Sequence, residues 1–206
     1  EQMVYNFVRA GAGINVLARH AGARLVLVDV GVKADLAEDL PIQHCKIRHG
    51  TGNMRHGPAM DREEVLRALK IGVRVANELV DQGVRVIGLG EMGIGNTTAS
   101  SAIVHVFTGI PISVVVGRGT GISDEFVIRK IRVIEEAVAC NQPDPGDAID
   151  VLAKVGGLEI AAMAGVVIGA AARQTLVMLD GFIASAAVLA AYRLSPAVKP
   201  YLMASH

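Results

Sequence analysis

Apolar and polar positions along this chain follow two patterns. Short apolar runs bounded by glycine or polar residues predict buried strands, and longer segments with apolar residues every three or four positions predict helices. The predicted strands are 25–30, 84–89, 112–116, 175–179 and one starting near Pro200. The predicted helices are 2–20, 61–82, 99–107, 123–140, 147–154, 158–172 and 182–193. This alternation predicts a three-layer α/β fold, with a mostly parallel, Rossmann-like sheet flanked by helices.

Composition supports that fold class and suggests one domain. The chain is 51% hydrophobic but only 3% aromatic, with 23 glycines and no tryptophan, as in parallel sheets covered by closely packed helices. A length of 206 residues suits one substantial core, so residues 1–206 are expected to form a single Rossmann-like core domain. The chain begins inside helix-like sequence and stops in a predicted strand. We therefore expect it to be a truncated part of a longer chain.

Charge and cysteine content exclude several partner classes. Twenty basic and twenty acidic residues balance, so neither nucleic acid nor an anionic membrane is expected as a partner. The longest apolar stretch, 160–172, is too short to cross a bilayer. The two cysteines lie far apart, and the N-terminus does not resemble a signal peptide. These features predict a cytoplasmic protein.

The most informative segment is the glycine-rich stretch 88–101, GLGEMGIGNTTASS. It follows a predicted strand, contains four glycines and the acid Glu91, and ends with the cap-type residues Asn96, Thr97 and Thr98 before a helix. A strand, a glycine-rich turn and a helix N-terminus together form a common phosphate site. Glycine lets the backbone approach the anion, and the unpaired N–H groups of the helix end face it.

Two ligand classes remain open for this loop. Residues 88–93 match the dinucleotide fingerprint, which also needs an acid roughly 20 residues later for the ribose hydroxyls. No acid lies between Glu91 and Asp124, although Arg118 could meet a 2′-phosphate, so an NADP-dependent oxidoreductase stays an alternative. The missing acid favours a mononucleotide or a sugar phosphate.

The other predicted strand ends extend this site. In parallel sheets, ligands bind beyond the carboxyl ends of the strands. Those ends carry Asp29, the glycine-rich segment, a second glycine loop at 117–121, Asp180-Gly181 and Ser205-His206. We expect them to lie around one ligand.

Several residues have plainer interpretations. His44, Cys45, His49 and His56 match no standard zinc spacing, so no metal is expected there. Glu91 is either a helix-start acid or a member of the site. Taken alone, Lys130 is interpreted as a surface lysine. Asp180 either shapes a turn or contacts the ligand, and its position at a strand end favours the ligand role. Glu159, in the Gly/Ala-rich helix, is interpreted as a packing residue.

Longer motifs carry a specific resemblance. Segments GEMGIGNTTASSAI, QMVYNFVRAGAGINVLARHAGA, GTGNMRHGPAM, VGRGTGISDE, VGGLEIAAMAGVVIGAA and LDGFIASAAVLAA span nearly the whole chain. Together they resemble the nicotinate-nucleotide–dimethylbenzimidazole phosphoribosyltransferase family. The resemblance implies phosphoribosyl transfer from nicotinate mononucleotide to 5,6-dimethylbenzimidazole or a related base. It also implies release of nicotinate and no cofactor or metal. A homodimer is expected separately, because the edge of the last predicted strand would be exposed.

The resemblance also assigns residues. Glu91 matches the acidic residue of the family's first motif and would be a catalytic residue close to the reacting centre. The residues expected to bind substrate are Gly93, Gly95, Asn96, Thr97, Gly117, Arg118, Gly119, Gly121, Lys130, Asp180 and Gly181. The family's principal general base would lie beyond His206. A nucleotide-binding fragment without catalysis is therefore the other alternative.

Overall fold

A computed structural model describes residues 1–117 and 124–205 of the protein. By internal contacts the chain forms two compact units, Glu1–Gly50 and Thr51–His206. The expectation of one domain over residues 1–206 stays a prediction.

The first unit begins with two helices, α1 (Gln2–Val8) and α2 (Gly13–His20). The prediction of one continuous helix over 2–20 is wrong, because Ala10 adopts a left-handed conformation with a φ of 58° and ends the first helix. The Asn15 side chain stabilises the break. Its amide nitrogen donates to the Phe7 carbonyl, and its oxygen accepts from the Ala12 N–H.

The first unit also contains two short parallel strands, β1 (Val28–Asp29) and β2 (Gln43–His44). The predicted strand 25–30 is confined to β1, and β2 lies where no strand was predicted. The Asp29 carboxylate accepts hydrogen bonds from the N–H groups of Gly31 and Val32, and Lys46 Nζ lies 3.6 Å from it. Asp29 therefore stabilises its own turn.

In the second unit, α3 (Arg62–Asp81) lies close to the predicted helix 61–82, and it begins at a capping box. Asp61 accepts from the Glu64 N–H, and the Glu64 carboxylate accepts from the Asp61 N–H. The helix packs along α8 (Leu158–Ala172) through glycines. A Cβ atom on Gly72 would lie 1.9 Å from the Ala162 carbonyl oxygen, so the two backbones touch directly.

The second unit contains a parallel three-stranded sheet in the order β3 (Val86–Gly88), β4 (Leu176–Leu179), β5 (Leu202–Ala204). Ile87 and Val177 are paired neighbours on β3 and β4, and both are buried. Helices α8 and α9 (Phe182–Leu194) pack against β4. Parallel strands alternating with helices confirm the predicted α/β class.

The predicted strand 112–116 is wrong, because Ile112–Val115 forms a short helix, α5. Pro111 precedes it with a φ of −53°, and its carbonyl accepts hydrogen bonds from the N–H groups of Val114 and Val115. The fixed proline φ and these bonds override the strand preference of the β-branched residues.

Three further helices lie close to their predicted positions, α4 (Thr97–Thr108), α6 (Asp124–Asn141) and α7 (Ala148–Val155). A 3₁₀ helix (Pro196–Tyr201), which was not predicted, precedes β5. No helix in the described ranges is both long enough and apolar enough to cross a membrane.

Candidate functional site

The glycine-rich segment connects β3 to α4, as predicted. β3 ends at Gly88 and α4 begins at Thr97. Gly95 has a φ of 86°, a left-handed conformation that glycine adopts without strain. A Cβ atom on Gly95 would contact no other atom within 4 Å, so the space beside this glycine is open.

Asn96 holds two carboxylates together. Its side-chain nitrogen Nδ2 donates to Glu91 Oε2 at 2.5 Å and to Glu159 Oε1 at 3.0 Å. Glu91 Oε2 also accepts from the Gly93 N–H at 2.7 Å. Although Asn96 occupies the N-cap position of α4, its side chain makes no cap hydrogen bond to the helix. We call Glu91, Asn96 and Glu159 the Asn96 bridge.

Gly93 leaves the room that this bridge needs. A Cβ atom there would lie 2.3 Å from Asn96 Nδ2 and 2.9 Å from Glu159 Oε1. Real side chains do not approach that closely, so any larger residue would displace the amide. In this structure Gly93 therefore contacts the bridge.

Glu159, which was interpreted as a packing residue from the sequence, also lies at this candidate site. It is the second residue of α8 and 63 positions from Asn96. Burial raises the pKa of its carboxyl group, and the negative charge of Glu91 raises it further, while hydrogen bonds from its own N–H and from Asn96 oppose the shift. The sequence did carry one signal for a role beyond packing, because Glu159 is a lone acid in the first turn of an otherwise apolar helix.

A cation lies at the same helix end. Lys130, on α6, donates from Nζ to Thr97 Oγ1 at 2.6 Å. Burial lowers the pKa of the Lys130 ammonium group. Lys130 is therefore more than the surface lysine that it resembles in isolation. We call these two residues the Lys130–Thr97 pair.

Asp180 and Gly181 leave the same edge of the sheet as the glycine-rich segment. They follow β4, which pairs with β3 in parallel, so both connections leave from carboxyl ends. Gly181 is the N-cap residue of α9, and its carbonyl accepts from the Ser185 N–H and hydroxyl. The Asp180 side chain is exposed.

The remaining predicted residues are distributed differently. Gly117 is exposed after α5, while Arg118, Gly119, Gly121 and His206 lie outside the described residues. Asp29 belongs to the first unit, where it stabilises its own turn. In the described ranges, no group of three or more His, Cys, Asp or Glu residues is arranged to hold a metal.

Comparison with known proteins gives the family. The family model described as Phosphoribosyltransferase matches residues 1–206, the whole chain. Two curated relatives carry the name nicotinate-nucleotide–dimethylbenzimidazole phosphoribosyltransferase. The one from Geobacter sulfurreducens is 54% identical and the one from a Roseiflexus species 52% identical, in both cases over 100% of this chain. The chain spans 58% of the length of each relative.

Solved structures agree. The crystal structure of CobT from Thermus thermophilus superposes with a TM-score of 0.94 at 39% identity. The match covers 100% of this chain and 61% of that one. The NADP-dependent oxidoreductase alternative finds no support in these matches. The chain belongs to the phosphoribosyltransferase family of the nicotinate-nucleotide–dimethylbenzimidazole enzymes.

Proposed function

We propose that the protein containing this chain transfers the phosphoribosyl group of nicotinate mononucleotide to 5,6-dimethylbenzimidazole or a related base. The products are α-ribazole 5′-phosphate, the nucleotide of the cobalamin lower ligand, and nicotinate. The observation that carries the proposal is the match over this whole chain to enzymes named for that reaction. Because the chain spans 58% of those relatives, the activity is proposed for the longer protein.

The Lys130–Thr97 pair is the proposed phosphate end of the site. A phosphate at the start of α4 would meet N–H groups of the first turn, the positive end of the helix dipole and the Lys130 ammonium group. The open space beside Gly95 gives an anion access to the backbone. In the second glycine loop, Gly117, Arg118, Gly119 and Gly121 would add further contacts.

The Asn96 bridge is the proposed end that faces the reacting bases. In the reaction, a ring nitrogen of the azole attacks C1′, the glycosidic bond to nicotinate breaks, and its electron pair leaves with nicotinate. The azole N–H proton passes to a base. Glu91 supplies a carboxylate close to this centre, and the principal general base is proposed to lie beyond His206. Asp180 and Gly181 would border the ribose.

Positioning accounts for much of the proposed rate. Two flat bases must be held on opposite faces of C1′, which converts a bimolecular step into a nearly intramolecular one. No metal or cofactor is required, because the leaving base and the attacking azole carry the charge changes. This chain supplies the phosphate and ribose contacts of that arrangement.

The test uses the 206-residue chain and a protein of the relatives' length in parallel. We expect nicotinate mononucleotide to bind both by titration calorimetry, and the longer protein to form α-ribazole 5′-phosphate from dimethylbenzimidazole. Absence of product from the longer protein with every azole or phenol acceptor would exclude the proposed reaction. Binding by the short chain without turnover would support the nucleotide-binding alternative for the fragment alone.

We also propose that the protein is a cytoplasmic homodimer. Val86, Met178 and Met203 expose apolar side chains on the second unit, and such patches favour association with another surface. Light scattering coupled to size exclusion measures the mass directly. A monomer at high concentration would contradict the dimer, and cell fractionation tests the compartment.

A further inference from the structure

Glu159 is a titratable group that the proposed reaction does not use. It is the one charged residue of α8, whose other fourteen positions are apolar or glycine. A carboxyl group on such a helix is desolvated, and desolvation is costly unless the group is hydrogen-bonded. Its position therefore needs a reason other than packing.

A hydrogen bond from the Asn96 side chain explains the position of Glu159. A side-chain amide carries two N–H hydrogens. Nδ2 donates to Glu91 at 2.5 Å and to Glu159 at 3.0 Å, so both are engaged, each by a different carboxylate. Rotation of the amide would break both bonds together. Glu159 therefore fixes the rotamer in which Asn96 reaches Glu91.

Two glycines shape the space around the Glu159 carboxylate. A Cβ atom on Gly157 would lie 2.9 Å from Oε1 and 3.0 Å from Oε2, and one on Gly93 would lie 2.9 Å from Oε1. The carboxylate thus lies between two backbone segments that carry no side chain. A group held in this way has few alternative positions.

We propose that Glu159 is a positioning residue that fixes the Asn96 amide and, through it, orients the Glu91 carboxylate for the substrate. In the described part of the chain both hydrogen bonds to Glu91 end at Oε2, which leaves Oε1 for a donor group of the ligand. A ribose hydroxyl or an azole N–H has the required chemistry. The identity of that ligand rests on the proposed function; the link from Glu159 to Glu91 does not.

The link is tested in the 206-residue chain by NMR of the Asn96 side-chain amide. In Glu159→Ala we expect one of its two proton signals to move upfield and to exchange with water about tenfold faster, because one acceptor is gone. Glu159→Gln keeps an acceptor oxygen and should restore both signals. Glu159→Asp, one methylene shorter, should resemble the alanine variant.

Ile160→Val is the matched control. Ile160 is the next residue on α8 and is fully buried, so the variant weakens packing without touching Asn96. Its Asn96 signals should equal those of the parent chain. Unchanged Asn96 signals in Glu159→Ala would overturn the proposal. If that variant does not fold, unchanged signals in Glu159→Asp would overturn it equally.

Ligand binding separates this proposal from the proposed function. Where the parent chain binds nicotinate mononucleotide, Glu159→Ala should weaken binding by about tenfold and Glu159→Gln by much less. Equal affinity of the parent chain and Glu159→Ala would overturn the positioning role. If the parent chain does not bind the mononucleotide, the assigned ligand fails, and the NMR signals still decide whether Glu159 holds Asn96.

Discussion

Two neighbouring residues at the start of α4 contact side chains of opposite charge type. Asn96 and Thr97 are consecutive, yet the Asn96 side chain binds two carboxylates while the Thr97 hydroxyl accepts from an ammonium group. Burial raises the pKa of Glu159 and lowers that of Lys130, so in each case it favours the neutral form. The carboxylates are held by a protein donor, whereas the cation donates to a neutral hydroxyl. The Lys130–Thr97 pair is thus the one suited to an anionic ligand.

The largest expected effect follows from removing the donor of the Asn96 bridge. Asn96→Asp would put a third carboxyl group beside Glu91 and Glu159 and remove the N–H groups that donate to them. The free energy of unfolding should therefore fall by about 3 kcal/mol. The loss should be larger at pH 8 than at pH 5, because protonation relieves the repulsion. Urea unfolding at the two pH values measures it.

Asn141→Asp is the matched control for that variant. Asn141 is as buried as Asn96, and its Nδ2 also donates two hydrogen bonds, but both go to backbone carbonyls, those of Met54 and Ala137. It should cost about 1–2 kcal/mol, with a weaker dependence on pH. Equal losses in the two variants would show that carboxylate repulsion contributes little at Asn96.

A smaller effect is expected at the Lys130–Thr97 pair, on binding rather than stability. Lys130→Met should weaken nicotinate mononucleotide binding by roughly 10- to 100-fold, because a charge-assisted contact is lost. Arg129→Met, the exposed neighbour on α6, should bind like the parent chain. Titration calorimetry measures both, and similar losses in the two variants would argue against a specific role for Lys130.

Titration of Lys130 should also make the affinity for nicotinate mononucleotide depend on pH. Because burial lowers the pKa of Lys130 below the ordinary value of 10.5, its positive charge is lost earlier as the pH rises. Mononucleotide affinity should therefore decrease with rising pH before an ordinary lysine would titrate. Lys130→Met should lack that decrease, and a decrease of the same size in this variant would assign it to another group.

The smallest expected effect is steric. Gly93→Ala should lower the free energy of unfolding by about 1 kcal/mol, because its Cβ atom would meet Asn96 Nδ2 and Glu159 Oε1. Gly90→Ala, in the same loop, would meet no atom within 4 Å and should stay within about 0.5 kcal/mol of the parent chain. If thermal and urea unfolding rank the two variants in reverse, the bridge is not tightly packed.

Local signals in the sequence predicted most of the fold. Helix α3 follows from the Asp61 cap and a regular apolar stripe, and both lie within one segment. Helix α5 could not be predicted in this way, because its valines favour a strand and Pro111 decides the local backbone. The glycine-rich segment was correctly predicted to connect β3 to α4, and the candidate site proposed there contains the Asn96 bridge.

The partners within the site were harder to predict. Glu159 reaches Asn96 across 63 positions, and Lys130 reaches Thr97 across 33. No short-range pattern encodes such pairs, since one depends on how α6 packs against α4 and the other on where α8 begins relative to the loop before α4. The family resemblance assigned Lys130 to the ligand, but no motif marked Glu159 as a site residue.

The glycine contacts between α3 and α8 have a mechanical consequence. A Cβ atom on Gly165 would lie 2.1 Å from the Leu69 carbonyl oxygen. The two helix backbones are therefore in direct contact here, with no deformable side chain between them. A helix in direct contact with a neighbouring backbone cannot shift or rotate when a repulsive force acts on one of its ends. Repulsion between the Glu91 and Glu159 carboxylates beside Asn96 therefore cannot displace α8, and the loop before α4 must change its conformation instead.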